Sequence, residues 1–237
     1  MAEPHLSPAN PPDATAGSSP DVGNLAIGVL GGTGAEGRGL AHRFALAGNP
    51  VFIGSRSAER AAAAAAGLGG GSGIRGRTNQ DAARAADVVI IAVPWEGHRE
   101  LLASLAADLA GKVVIDLVNP LGFDSRGAYP LRVAEGSAAE QAAAVLPDSR
   151  VVGAFHHVSS VLLLDPQLSE VDQDVLVLGD DREATNLVQA LAGRIPGMRG
   201  VYAGRLRNCG QVEALTANLV AINRRYKVHS GLRVTDI

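Results

Sequence analysis

Short apolar runs alternate with stretches of helical periodicity along most of the chain. Residues 25–30 form an apolar run short enough for a buried parallel strand. In 38–46, which follow, Leu40, Ala41, Phe44 and Ala45 fall on one helical face. Further strands are expected at 51–54, 74–77, 88–93, 112–118, 151–155 and 174–178. Helices are expected at 57–66, 79–86, 99–109, 137–146 and 182–192. The run at 88–93 is nearly all apolar, the pattern of a strand covered on both faces. Strands alternating with helices predict βαβ units and an α/β, doubly wound parallel sheet.

The rest of the chain carries weaker signals. The glycine-rich segment 67–73 reads as a loop, 122–136 as an irregular excursion and 195–204 as a turn. A long helix is expected from 208 to about 226, with Val212, Leu215, Leu219 and Ile222 in a stripe. The expected organisation is therefore a Pro-rich disordered extension over 1–23, a sheet domain over 24–192 and a small, mainly helical C-terminal domain over 193–237.

The most informative stretch is 28–37, G-V-L-G-G-T-G-A-E-G. Gly32, Gly34 and Gly37 satisfy G-x-G-x-x-G between a predicted strand and a predicted helix, the context in which that pattern marks a dinucleotide site. Glycines there permit a tight turn and a close approach of backbone to pyrophosphate, on a Rossmann-type domain. The phosphates meet the free N–H groups at the helix start. NAD-specific sites usually place a carboxylate about 20 residues further on, against the ribose 2′-hydroxyl. Here the second strand ends in Ser55 and Arg56, with Arg60 one helical turn beyond. Two guanidiniums and a hydroxyl suit a 2′-phosphate, so NADP is expected rather than NAD.

Composition narrows the partners. The formal net charge of −3 argues against a general nucleic-acid binder. The charge is uneven, however: residues 194–237 carry a net +6 and the first 193 therefore −9. That basic segment fits either an anionic ligand or a solvated face. Cys209 is the sole cysteine, which excludes an intrachain disulfide and a thiolate-rich metal site. The longest apolar run, 88–93, is far too short to span a bilayer, and the N-terminus lacks the pattern of a signal peptide. A cytoplasmic location is expected. Ligands of open α/β sheets lie beyond the carboxyl ends of the strands, which singles out 94–98, 119–122, 156–160 and 179–181. His98 is expected to be structural or exposed. His156 and His157 point to opposite sides if extended and so do not share a metal; none is expected. One of the two facing a nicotinamide fits the chemistry of an imidazole donor. No Ser-His-Asp arrangement and no lysine base is apparent.

Read together, G-G-T-G-x-x-G, I-G-S-R, V-P-W-E-G-H, D-x-V-N-P-L-G-F-D, A-F-H-H-V-S, V-L-G-D-D, I-P-G-M-R-G-V-Y-A-G-R-L-R-N, E-A-L-T-A-N-L and I-N-R-R-Y-K resemble the F420-dependent NADP oxidoreductases, more narrowly the actinobacterial-type NADPH-dependent F420 reductases. The resemblance covers 25–237. It implies a homodimer with NADP on the Rossmann domain and coenzyme F420, a deazaflavin, against the nicotinamide in a cleft closed by the C-terminal domain. It implies that Thr33, Gly34, Ala35 and Glu36 hold the pyrophosphate region, and Ser55, Arg56 and Arg60 the 2′-phosphate. Trp95, Leu121 and Ser160 match positions near the nicotinamide, and Pro94, His156 and Thr216 match positions around the deazaflavin. Where some members have Arg and Ser, this chain has Gly210 and Ala214, which shifts the expected F420 contacts to Arg205, Arg207 and Asn208. Hydride would pass directly between nicotinamide C4 and deazaflavin C5, so no obligate acid or base is expected, with His156 the candidate for positioning or proton donation. Two rival readings stay open: an NADPH-dependent flavin, ferric, imine or hydroxyacid reductase on the same scaffold, and a non-catalytic NADP-binding redox sensor.

Overall fold

A computed structural model describes residues 20–69 and 73–237; most of the expected N-terminal extension and the middle of the glycine-rich loop lie outside the described residues. Among the described residues, ten strands and eight α-helices follow in chain order. The first half comprises β1 (Ile27–Leu30), α1 (Ala35–Leu46), β2 (Val51–Ser55), α2 (Ala58–Ala66), β3 (Ile74–Thr78), α3 (Asn79–Ala85), β4 (Val88–Ile91), α4 (His98–Leu109) and β5 (Val113–Asp116). The second half comprises β6 (Leu121–Asp124), β7 (Gly127–Pro130), α5 (Ala138–Val145), β8 (Arg150–Gly153), α6 (Ser160–Leu164), β9 (Gln173–Gly179), α7 (Arg182–Ala192), β10 (Met198–Gly204) and α8 (Cys209–Tyr226).

Eight of the strands form one sheet in the order β10-β9-β8-β5-β4-β1-β2-β3. From β3 to β8 all neighbours are parallel; β9 runs antiparallel to β8, and β10 parallel to β9. The middle strands β1, β4 and β5 are buried along their whole length, so their apolar sequences, broken only by Asp116 at the end of β5, follow from helices covering both faces. One face packs Leu40 and Phe44 of α1, Leu163 of α6 and Val188 of α7 against the sheet. The other packs Leu102 and Leu105 of α4, Ala139 and Ala142 of α5 and Val212 of α8. Side chains start four helices as their types predict: Ser57, Thr78, Ser137 and Asp181 each accept a backbone N–H of the first turn.

Three expectations need correction. The excursion at 122–136 contains an antiparallel hairpin, β6–β7, turned at Asp124, whose Oδ1 accepts from Arg126 and Gly127 N–H. The turn at 195–204 is instead the edge strand β10, so the sheet runs on to Gly204, past its expected end at 192. Glycines at 197, 200 and 204 mask that strand in the sequence. Gly200 is required because a β-carbon there would collide with the backbone of Gln189 in α7. Val22, inside the expected extension, is buried in the core, and its carbonyl accepts from Asn49 Nδ2 at 2.8 Å. No helix among the described residues is long and apolar enough to cross a membrane.

Beyond α8 the chain returns to the sheet through one carboxylate. Asp174 on β9 is fully buried and takes Arg199 Nε and Nη2 at 3.0 and 2.8 Å, Arg233 Nη1 at 2.8 Å and Val234 N–H at 2.7 Å. Its own N–H donates to Leu232 O. The Arg199 hydrogen bonds hold the Asp174 carboxyl below its usual 3.8. A depressed folded-state pKa contributes stability that is present above 3.8 and is lost as pH falls through the lower, folded value. Asp174→Asn is therefore expected to lose about 2 kcal/mol at neutral pH, read by urea unfolding. The deficit should shrink in acid, where the wild type loses the same contribution.

Candidate cofactor cleft

A cleft of about 820 Å³ opens at the carboxyl ends of β1, β4 and β5, where the strand order reverses on either side of β1. This is the crevice that open α/β sheets use for nucleotides. Its first wall is the turn between β1 and α1. Gly31, with φ of +70°, turns the chain, and a β-carbon on Gly37 would lie 2.6 Å from the Gly32 Cα, so helix and turn meet at van der Waals distance only as glycines. Helix α1 starts at Gly34 with no side-chain cap, and nothing lies within 4 Å of a β-carbon built there. The free N–H groups of the first turn thus face open space, which fits a pyrophosphate.

The second wall follows β2. Ser55 is buried at the strand end, and Arg56 and Arg60 line the cleft. Neither guanidinium has a side-chain partner among the described residues, which suits a phosphate that the protein itself does not supply. Asn79, at the start of α3, accepts from Gly31 N–H at 3.2 Å and ties the two walls together. The opposite side is formed by Pro94, Trp95, Glu100, Leu101 and Ser104, and the floor by Leu117, Val118 and Asn119. The sequence reading missed Asn79, Glu100, Leu101 and Ser104. Glu100 and Ser104 stand four apart on the α4 face away from Leu102, Leu105 and Leu109, which marks them as facing outward but not what they face.

Of the expected residues, Thr33, Gly34, Ala35, Glu36, Gly37, Ser55, Arg56, Arg60, Pro94 and Trp95 line this cleft. Gly32 lies behind it, donating to Gly54 O at 3.1 Å. Leu121, His156, Ser160, Arg205, Arg207, Asn208 and Thr216 do not line it. Leu121 begins β6 and Ser160 begins α6. Arg205 and Arg207 are exposed, with Arg205 Nη1 on Asp180 O at 3.1 Å. Thr216 reaches the floor through Asn119: its hydroxyl lies 3.3 Å from both Asn119 Oδ1 and His156 O, and Asn119 Nδ2 donates to His156 O at 2.7 Å.

His156 is buried, with neither ring nitrogen bonded, and burial pushes its imidazole down to about 4. It is neutral near pH 7, so its ring is a poor proton donor, while its carbonyl is the group engaged. His157, also buried, is pushed down to about 4 as well. Phe155, just before the pair, takes φ of +64° while its ring meets Phe44 edge-on at 6.1 Å. His98, expected to be structural or exposed, is structural: it is fully buried between Asp116 and Gln141. Cys209 is buried, and burial pushes its thiol up. Among the described residues no three His, Cys, Asp or Glu side chains gather as a metal site.

Glu36 brings a carboxyl to the expected pyrophosphate side of the cleft. Its Oε1 is buried without a partner, and burial pushes the carboxyl up to about 8. At neutral pH the protonated group adds no charge to the cleft; above about 8 it ionises and repels an anion. NADPH affinity is thus expected to fall roughly tenfold between about pH 7 and 9, and Glu36→Gln to flatten that profile, both read by titration calorimetry.

Comparison with known proteins agrees with this geometry. Residues 26–120 match the family model described as NADP oxidoreductase coenzyme F420-dependent. The F420-dependent NADP reductase of Methanothermobacter thermautotrophicus is 40% identical over 224 residues, 90% of this chain and 96% of that one. The enzyme of the same name from Methanothermobacter marburgensis is 38% identical over 223 residues, 90% and 99% of the two chains. A solved structure from Arthrobacter sp. FB24 superposes with a TM-score of 0.76 over 90% of this chain and all of the other; at 24% identity it supports the fold alone. With identity of this level along nearly the whole length of both chains, the protein belongs to the family of F420-dependent NADP reductases.

Proposed function

We propose that the protein is an NADPH:F420 oxidoreductase, moving a hydride reversibly between NADP(H) and coenzyme F420. One observation carries the NADP half: an uncapped helix start and two guanidiniums without an acidic partner among the described residues face the same cleft, spaced along β1 and β2. The F420 half rests on family membership. When both cofactors are bound, they supply the hydride chemistry themselves, between nicotinamide C4 and deazaflavin C5.

The chain's own contribution is orientation. The α1 turn holds the pyrophosphate, and Ser55, Arg56 and Arg60 select the 2′-phosphate. Pro94 and Trp95 wall the nicotinamide end, while Asn119, Thr216 and the His156 carbonyl brace the floor beneath it. His156 acts by position, and solvent supplies the proton. Helix α8 and the residues after Gly204 form the C-terminal portion that closes the F420 side, where Arg205 and Arg207 meet the anionic tail. Asn208 completes that side, while Leu121 and Ser160 flank the nicotinamide. The working form is a cytoplasmic homodimer, to which the exposed Ile222 and Tyr226 of α8 lend an apolar face.

The test is an absorbance assay with purified protein, NADPH and oxidised F420, run beside NADH and FMN. Rapid bleaching of F420 with NADPH alone is expected. FMN turnover in its place would establish a flavin reductase, and tight NADPH binding with no turnover a redox sensor.

A further inference from the structure

Beneath the cleft lies a buried polar chain that the functional reading does not use. His98, Asp116 and Gln141 are all buried, and they come from α4, β5 and α5. His98 Nε2 is 2.6 Å from Asp116 Oδ2, and His98 Nδ1 is 3.0 Å from Gln141 Oε1. The orientation of the Gln141 amide follows from its other neighbour. Gln141 Nε2 donates to Glu135 Oε2 at 3.2 Å, and Glu135 is itself paired with Arg99. An ionised carboxylate only accepts, so the amide nitrogen faces Glu135 and the amide oxygen faces His98. Both imidazole nitrogens then point at acceptors. An imidazolium, with a hydrogen on each nitrogen, satisfies both contacts at once.

Two parts of the cleft hang on this ring. The indole of Trp95 stacks on it at 5.6 Å between centroids, with 29° between the planes, an arrangement that a cationic imidazole strengthens. On the other side Asp116, whose Oδ2 meets the imidazole, accepts Val118 N–H on Oδ1 at 3.0 Å and so shapes the turn that leads to Asn119. Trp95, Val118 and Asn119 all line the cleft, on different elements. We propose that His98 is a positioning residue for NADP(H) binding, a buried imidazolium that fixes the Trp95 wall to the 117–119 floor. This rests on the reading of the cleft as an NADP(H) site.

The groups facing the ring favour the cation. Asp116 from β5 touches it, Glu213 from α8 bears on it through space, and Gln141 from α5 relays the Glu135–Arg99 pair. Burial opposes the charge, yet the combined effect of Asp116, Gln141 and Glu213 raises the imidazole above its usual 6.5. His156 and Cys209 lie beyond Asp116; the first is neutral at pH 7, and burial keeps the second a thiol.

Trp95 is the chain's one tryptophan, so its emission reads the ring beneath it without a label. In the ligand-free wild type the emission is expected to be quenched at neutral pH and to rise as pH is raised through the His98 titration. In His98→Gln, whose amide still donates to Asp116, the emission should be higher and flat over the same range. Imidazole nitrogen NMR of the wild type should find both His98 nitrogens protonated at pH 7, a readout that needs no variant to fold. His98→Gln is expected to bind NADPH about tenfold more weakly, as is Asp116→Asn, with the double variant little worse than either. One unprotonated His98 nitrogen at pH 7 overturns the inference. So does unchanged NADPH affinity in a folded His98→Gln. A wild type that fails to bind NADPH at all overturns the reading of the cleft instead, and the inference with it.

Discussion

Arg56→Ala is expected to raise the KM for NADPH by about 30-fold and to leave that for NADH within about twofold, because a charged hydrogen-bond pair contributes about 1.5–3 kcal/mol and each 1.4 kcal/mol is a decade. The 2′-phosphate is the sole chemical difference between the two nucleotides. Arg56 and Arg60 line the cleft and pair with no carboxylate among the described residues, so on the proposed function a bound dianion would be their partner. Arg60 lies in the first turn of α2, which is fixed by Ser57 accepting the Arg60 N–H at 3.2 Å. Arg56→Ala/Arg60→Ala should therefore lose more than either change alone and should also flatten the salt dependence of NADPH binding. Initial rates with both nucleotides, at low and moderate salt, check this. Equal losses for NADPH and NADH would place the arginines elsewhere than on the 2′-phosphate.

That prediction needed little beyond the sequence. A glycine pattern between an apolar run and a helical stripe points to the proposed nucleotide site, and the side chains at the end of the next strand point to the proposed 2′-phosphate contacts, because both signals lie in consecutive local elements. The strands of the sheet were legible for the same reason: β1, β4 and β5 are buried on both faces and read as apolar runs, with Asp116 only at the end of β5. Strand β10 was not legible, since Gly200 within it answers to the approach of α7, a contact made only in the folded chain. The hairpin β6–β7 was hidden by its exposure, which relieves it of any strict apolar alternation. Long-range polar contacts were the least legible. Nothing in the neighbourhood of His98 announces a partner 18 residues away at Asp116 or 43 away at Gln141. The residues assigned to the F420 side came from family likeness, and most of them gather around the floor or the exposed face after Gly204, outside the cleft.

Arg43 is the extreme case of a side chain whose role the local sequence conceals. It occupies the last turn of α1, where a basic residue ordinarily faces water, yet it is only 4% exposed. Its Nε donates to Leu163 O at 2.8 Å, Nη1 to Leu168 O at 2.7 Å, and Nη2 to Leu162 O and Asp165 O at 2.8 and 3.1 Å. Those carbonyls belong to the end of α6 and the turn after it, which have no further helical turn to satisfy them. The cation also meets the negative end of the short helix. Gly39 belongs to the same contact: a β-carbon there would strike the Leu163 side chain, so its absence lets α1 approach α6 closely enough for Arg43 to reach. Arg43→Met keeps the length and apolar stem but strips every donor, leaving the carbonyls of Leu162, Leu163 and Leu168 short of partners, while Asp165 O keeps the Leu168 N–H. At about 1–3 kcal/mol for each buried group, and with water repairing the outermost, the expected loss is about 4 kcal/mol. Arg43→Lys should recover part of it, since one ammonium has three donors and no planar fork. Urea unfolding gives the total, and hydrogen exchange gives the place: amides of 162–168 should lose protection before those of β1 or β4. The same turn leads back through Ser159 to His156, whose carbonyl braces Asn119 and Thr216. If that connection is mechanical, folded Arg43→Lys protein will lose F420 turnover while holding NADPH as tightly as the wild type. A loss confined to stability would make Arg43 a staple of the fold and nothing more.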